Sequence, residues 1–238
     1  RQGLTIIGAG DYAFALVTDT GAIFKRSAKF GGQITTSVIG GWKPVSGGVG
    51  DYVWFGTGTG HVKALDDATM GELWSYADTS GFQIADIAHE DNGGTHLFAG
   101  EAGGNMHGLD DTTGTKNWDA KNGTATPNCA CGFGAIMALG SEAYMVQSDG
   151  HVRSYRASDG TADLATSGTP GPTMITEANG VILGSLYGSN AIKTFNAGNL
   201  AVISTPSLSF SMGQYAEPVP ADGALWLVGI DGYLHKVA

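Results

Sequence analysis

The strongest constraint on this chain is a stretch that occurs twice. Ala64-Leu65-Asp66-Asp67-Ala68-Thr69-Met70-Gly71-Glu72-Leu73-Trp74 aligns with Gly108-Leu109-Asp110-Asp111-Thr112-Thr113-Gly114-Thr115-Lys116-Asn117-Trp118, 44 residues further on. Asp, Thr and Trp fall at identical offsets. A period of about 40–45 residues with strand-like flanks is the mark of a β-propeller, in which one period is one blade. The fold class expected is therefore all-β: a propeller of six blades, each a four-stranded antiparallel sheet.

Six similar units can be read along the chain. Their second and third strands are Leu4–Ile7 with Tyr12–Leu16, Tyr52–Phe55 with His61–Leu65, and His96–Ala99 with Asn105–Leu109. Then come Ala143–Val146 with His151–Tyr155, Val181–Leu183 with Ala191–Phe195, and Leu225–Val228 with Tyr233–Val237. Asp-Gly and Asn-Gly pairs supply the positive φ that tight hairpins need, at Asp149-Gly150, Asp231-Gly232, Asn179-Gly180 and Asp222-Gly223. Approximate blades are 1–28, 29–78, 79–121, 122–167, 168–207 and 208–238, in one domain. Inner strands are expected at Gln33–Val38, Phe82–Ala88, Phe133–Ala138, Thr173–Thr176 and Gln214–Val219. Gln33, Gln83 and Gln214 open three of them and would line a polar axial channel. The first unit lacks an inner strand and the last an outer one. A ring closed by pairing of the N- and C-terminal segments would remove the exposed edges; truncation, with further blades lost or held by another chain, is the alternative.

Composition narrows the function classes. A chain of 238 residues can bury about 70–75% of its unfolded surface. With 42% hydrophobic and 14% charged residues it reads as globular rather than disordered. A net charge of −10 argues against nucleic acid, which needs a concentrated basic face. No apolar run approaches the ~20 residues of a membrane span. The start at Arg1 reads as a processed product or a fragment. Low charge with abundant Gly, Ser and Thr suits an extracellular, periplasmic or cell-surface protein.

The repeated motif resembles the PQQ-like propeller family, the quinoprotein alcohol dehydrogenase-like repeats. Its pattern, Ala-x-Asp-x-x-Thr-Gly-x-x-x-Trp, is a tryptophan-docking motif. Ala64, Asp66, Thr69 and Trp74 match it, with Met70 in place of Gly; Asp110, Thr113, Gly114 and Trp118 match it, with Gly108 in place of Ala. Later copies decay: Gly160 is kept, Leu164 stands for the Trp, and Phe24 is expected to take that part in the first unit. These residues read as structural: Asp and Thr bond turn amides, and Trp packs on a neighbouring blade.

Enzymes of that family use PQQ with calcium and a catalytic aspartate, commonly in eight-bladed rings. In the alcohol dehydrogenases an adjacent Cys-Cys pair often covers the PQQ plane. Here the pair is Cys129-Ala130-Cys131, and no calcium set can be assigned residue by residue, so no cofactor, catalytic residue or metal ligand is expected. Non-enzymatic relatives, such as the bacterial outer-membrane assembly lipoprotein of the family, use the blades as a binding scaffold. The resemblance thus implies a non-catalytic interaction module with a protein partner or self-assembly. A quinone-dependent oxidoreductase and a glycan-binding propeller are the alternatives.

Other candidates carry a structural reading beside a functional one. Trp42, in the long Gly-rich stretch Gly40-Gly41-Trp42-Lys43-Pro44, is a candidate contact for a protein or glycan, or packs back onto the ring. Cys129 and Cys131 are a candidate local disulfide, with free or metal-associated thiols as competing readings. Asn122-Gly123-Thr124 is a candidate glycosylation sequon. Lys63, His107, Arg153, Lys193 and His235 share one strand position in five of the six units. Such a ring of cations could attract an acidic partner, and an ion-paired blade edge is the plainer reading. His89-Glu90-Asp91 is the densest titratable run and reads as a solvated loop or, less simply, a metal site.

Overall fold

In the computed structural model, residues 3–45, 48–90, 95–121, 135–146, 151–165, 174–185, 188–213 and 218–237 are described. Among the described residues, twenty-two strands form six antiparallel sheets, the blades of a ring, and there is no helix. The first blade holds β1 (Leu4–Ala9), β2 (Tyr12–Val17) and β3 (Ile23–Arg26). The second holds β4 (Ile39–Val45), β5 (Gly48–Gly56), β6 (His61–Asp66) and β7 (Glu72–Ala77). The third holds β8 (Ile84–His89), β9 (His96–Glu101), β10 (Asn105–Asp110) and β11 (Lys116–Lys121). The fourth holds β12 (Ile136–Leu139), β13 (Glu142–Val146), β14 (Val152–Arg156) and β15 (Ala162–Ala165). The fifth holds β16 (Met174–Ala178), β17 (Val181–Ser185), β18 (Ile192–Asn196) and β19 (Val202–Ser204). The sixth holds β20 (Val219–Ala221), β21 (Ala224–Val228) and β22 (Leu234–Val237).

The four middle blades are four-stranded and the two terminal ones three-stranded. Four strands per blade therefore does not hold at either end. The first and last sheets are separate, and no pairing between terminal segments occurs among the described residues. Each terminal blade lacks the strand that its own sequence unit lacks.

The apolar core lies between blades rather than at the axis. Trp54, Trp74, Ile84, Leu97 and Leu109 join the second blade to the third. Phe98, Trp118, Met145 and Tyr155 join the third to the fourth. Similar clusters join the first blade to the second, the fourth to the fifth and the fifth to the sixth. Two-residue turns follow the Asn-Gly and Asp-Gly rule: Asn179 and Gly180 take φ 53° and 78°, and Asp222 and Gly223 take 53° and 69°.

Three expectations shift. The inner strand of the second blade is β4 at Ile39–Val45, not Gln33–Val38. The earlier segment meets β5 only around Gly56, whose carbonyl accepts the Thr35 N–H at 3.0 Å and whose N–H reaches the Thr36 hydroxyl at 2.8 Å. For the last blade, residues 214–217 of the expected inner strand lie outside the described residues, and the described strand there is Val219–Ala221. Trp42 is consequently a strand residue opposite Asp51 in the β4–β5 hairpin, not part of a loop. A run of glycines permits extended backbone as readily as a loop, and here ladder bonds decide.

The third correction concerns the docking motif. A bulge after the third strand displaces the register by one residue in each complete copy, so that Trp74 lies opposite Ala64 and Trp118 opposite Gly108. The same bulge in the first blade sets Lys25, not Phe24, opposite Ala15. Phe24 faces the other way and is 52% exposed, like Leu73 beside Trp74.

Candidate functional site

The repeated turns take the form their sequence demands. Asp66 Oδ1 accepts the Thr69 N–H at 2.7 Å and its hydroxyl at 2.6 Å, and Asp110 binds Thr113 at 2.8 Å in both ways. Each indole then reaches the next blade. Trp74 Nε1 donates to the Asp111 carbonyl at 3.1 Å, and Trp118 Nε1 to the Ala157 carbonyl at 2.7 Å. The rings lie on Gly114 and Gly160, where a Cβ would come within 2.4 Å of an indole carbon. Asp66, Thr69, Trp74, Asp110, Thr113, Gly114 and Trp118 thus build inter-blade joints, in keeping with a structural role.

The axial cavity has a volume of about 310 Å3 and is lined by Thr35, Thr36, Ser37, Ala85, Asp86, Ala135 and Met174. Gln33 and Gln83 are not among these residues. They precede the inner strands, and their carbonyls accept Gly58 N–H at 2.8 Å and Ala102 N–H at 2.9 Å. Gln214 lies outside the described residues, as do Asn122, Cys129 and Cys131. The acid at the axis is Asp86, turned there by a bulge between Ile84 and Asp86, and it accepts the Ile136 N–H of the next blade at 2.8 Å. Nothing in the sequence distinguished it, because a bulge has no signature of its own here.

The run His89-Glu90-Asp91 does not act as one cluster. His89 Nε2 meets the buried Asp111 carboxylate at 2.6 Å and its ring stacks on Trp54 at 4.8 Å, whereas Glu90 pairs with His96 at 2.5 Å. Asp91 lies outside the described residues. The shared basic position is ion-paired where its partners are seen: Lys63 Nζ binds Glu72 at 2.7 Å, and His235 lies 3.1 Å from Asp231.

Among the described residues, the densest buried titratable site lies at the junction of the second and third blades, around His107. Asp78 follows β7, Glu101 ends β9, and His107 and Asp119 face each other across the β10–β11 pair. His107 Nδ1 is 2.6 Å from Asp119 Oδ1, and Lys116 Nζ holds the other Asp119 oxygen at 2.6 Å. His107 Nε2 points to Asp78 Oδ1 at 3.5 Å and Glu101 Oε2 at 3.6 Å, without a hydrogen-bond partner. Ser80 bridges Asp78 and Glu101, Asn105 donates to Glu101, and the Tyr76 ring lies 5.5 Å from the imidazole.

The carboxyls respond differently to this setting. Burial pushes Glu101 up, aided by the neighbouring Asp78 charge. Burial opposes ionisation of Asp78 too, but bonds from the Ser80 hydroxyl, Glu101 and the Ser80 N–H hold it at about 2. Asp119, against its own desolvation, is held low by Lys116 and His107. Burial first, and then the Asp78 and Asp119 charges, push the Tyr76 hydroxyl up. The sequence placed His107 only in a ring of cations; the three acids around it come from three separate segments, which no local spacing reveals.

A second feature is the outer side of the last blade. Among the described residues β22 pairs only with β21. Ile230, Tyr233 and Leu234 are 64%, 71% and 63% exposed there, beside the half-exposed Val228.

Comparison with known proteins places the fold in context. The crystal structure of BamB from Moraxella catarrhalis superposes with a TM-score of 0.67 and 14% identity, over 99% of this chain and 85% of that one. A chain in the crystal structure of a mitotic checkpoint complex gives 0.71 and 12% identity, over 100% and 74%. The computationally designed Ika8 protein gives 0.65 and 12%, over 99% and 80%. No curated protein matches the sequence. A family model described as outer membrane protein assembly factor BamB matches residues 15–226. Because that match runs through nearly the whole ring, the chain belongs to this PQQ-like β-propeller family.

Proposed function

We propose that this propeller is a non-catalytic scaffold in a protein assembly, working in the periplasm or at a cell surface. The observation that carries the reading is the group of apolar side chains Ile230, Tyr233 and Leu234, exposed together on the last blade. Exposed apolar side chains grouped on one face supply the contact area that a protein partner covers. A chain of net charge −10 favours a basic, apolar partner segment and speeds its approach. The assembly-factor description of the family supports the same reading. The glycan alternative rested on Trp42 as a loop residue, and its strand position weakens it.

Native mass spectrometry of protein from its natural source, before and after addition of PQQ and calcium, tests the proposal. A defined partner or self-complex is expected. It should be lost in the doubly substituted Ile230→Asp, Leu234→Asp protein while the circular dichroism spectrum is unchanged. A complex that survives both substitutions overturns the docking surface. A stoichiometric mass gain from the quinone overturns the non-catalytic reading.

A further inference from the structure

We propose that Asp78, Glu101 and His107 form a divalent-cation site, suited to zinc, that ties the second blade to the third. The candidate ligand atoms of the three residues all lie within 4.8 Å of one another. Two ligands each about 2.1 Å from a tetrahedral ion are about 3.4 Å apart. The separations of Nε2 from the two carboxylate oxygens, 3.5 and 3.6 Å, are close to that figure and long for a direct hydrogen bond.

The imidazole supplies the independent observation. The His107 side chain is only 3% exposed, and its Nε2 is buried with no hydrogen-bond partner while aimed at two acids. A buried polar atom of this kind is costly unless something fills the gap. The other ring nitrogen is already assigned. Asp119 accepts at 2.6 Å from Nδ1, and Lys116 fixes Asp119. A proton on Nδ1 leaves the Nε2 lone pair directed at the carboxyl oxygens of Asp78 and Glu101, where it meets further lone pairs. A cation between the three atoms turns that repulsion into coordination, and carboxylate–histidine–metal is the arrangement by which proteins orient a ligating imidazole.

The donor set selects the ion. One imidazole nitrogen with two carboxylate oxygens suits zinc and related transition ions, whereas calcium and magnesium favour all-oxygen shells. A fourth position is open to water or to the Ser80 hydroxyl, which already binds both acids. Ser80 and Phe82 are exposed above the site, and Phe82 lies across Gly103, where a Cβ would come within 2.5 Å of its ring.

The test uses the untagged chain, stripped with chelator and titrated with zinc alone by calorimetry. One zinc per chain is expected, with a raised melting temperature. The cobalt-loaded protein should show the visible absorption of a four-coordinate nitrogen–oxygen site. His107→Gln should abolish binding, and Asp119→Asn should weaken it by about 10–100-fold at unchanged stoichiometry. Circular dichroism confirms that each variant is folded. Should His107→Gln fail to fold, Glu101→Gln replaces it, with the same loss expected. Absence of binding at 100-fold excess zinc, or binding equally tight in the folded variants, overturns the proposal.

Discussion

Met70 takes φ 56°, a backbone region that costs a non-glycine residue about 1–2 kcal/mol, yet it is buried. Its counterparts Gly114 and Gly160 carry the rings of Trp74 and Trp118. The preceding blade offers Met70 no tryptophan, only Lys25, whose ammonium reaches the Ala68 carbonyl at 2.9 Å. Met70 fills the vacated volume among Ala13, Ala15, Val53 and Phe55. Met70→Gly should therefore destabilise the protein by about 1–4 kcal/mol, the cavity outweighing the relief of backbone strain. Gly114→Ala should cost about 1–3 kcal/mol or more, because its Cβ meets Trp74. Urea unfolding measures both. Asp159 titrates at the same scale. Its bonds to Thr161, and then Arg156, hold the carboxyl below its usual range. The stability it contributes is present above about pH 4 and is lost as pH falls through the folded-state value. Asp159→Asn should make the decline in melting temperature below pH 4 slightly shallower.

Between elements the same exchange of volume recurs at the joint of the fourth and fifth blades. Leu164 occupies the tryptophan position of β15 and packs on the cluster that holds Leu200, the counterpart of Gly114 and Gly160, again buried with φ 53°. Two leucines thus share the space that an indole and a glycine share elsewhere. Leu164→Trp alone should overpack this joint and Leu200→Gly alone should leave a cavity, each costing about 1–4 kcal/mol. The double variant should recover about 0.5–3 kcal/mol relative to their sum. A double-mutant cycle by chemical denaturation checks it, and strictly additive losses would refute the exchange. The outcome matters because the blades cohere mainly through such joints, with few ladder bonds crossing from one sheet to the next.

At the scale of the whole molecule, two features bear on function. Ile230, Tyr233 and Leu234 stand exposed together on the last blade and offer one apolar surface to a partner. Since net charge favours a basic partner, association with it should slow several-fold between low and physiological salt, while dissociation changes little. Stopped-flow measurement across salt concentrations separates the two rates. The buried site around His107 lies between the second and third blades rather than on this surface. Metal binding and partner binding are therefore expected to be independently removable.

The 44-residue repeat determined the fold class and blade number, because each period needs neighbours to bury its apolar faces. Alternation and the Asn-Gly turns located most second and third strands. Three things were left to tertiary structure. Bulges cost one residue and carry no mark in sequence, yet they chose Lys25 over Phe24 and brought Asp86 to the axis. Glycines at 40 and 41 suit either a strand or a loop, and pairing with β5 made them strand. Asp78, Glu101, His107 and Asp119 became one site only because the chain enters the third blade beside the end of β9. Local spacing records what each residue does within its own blade, whereas charges that meet across a blade junction are set by how the ring packs.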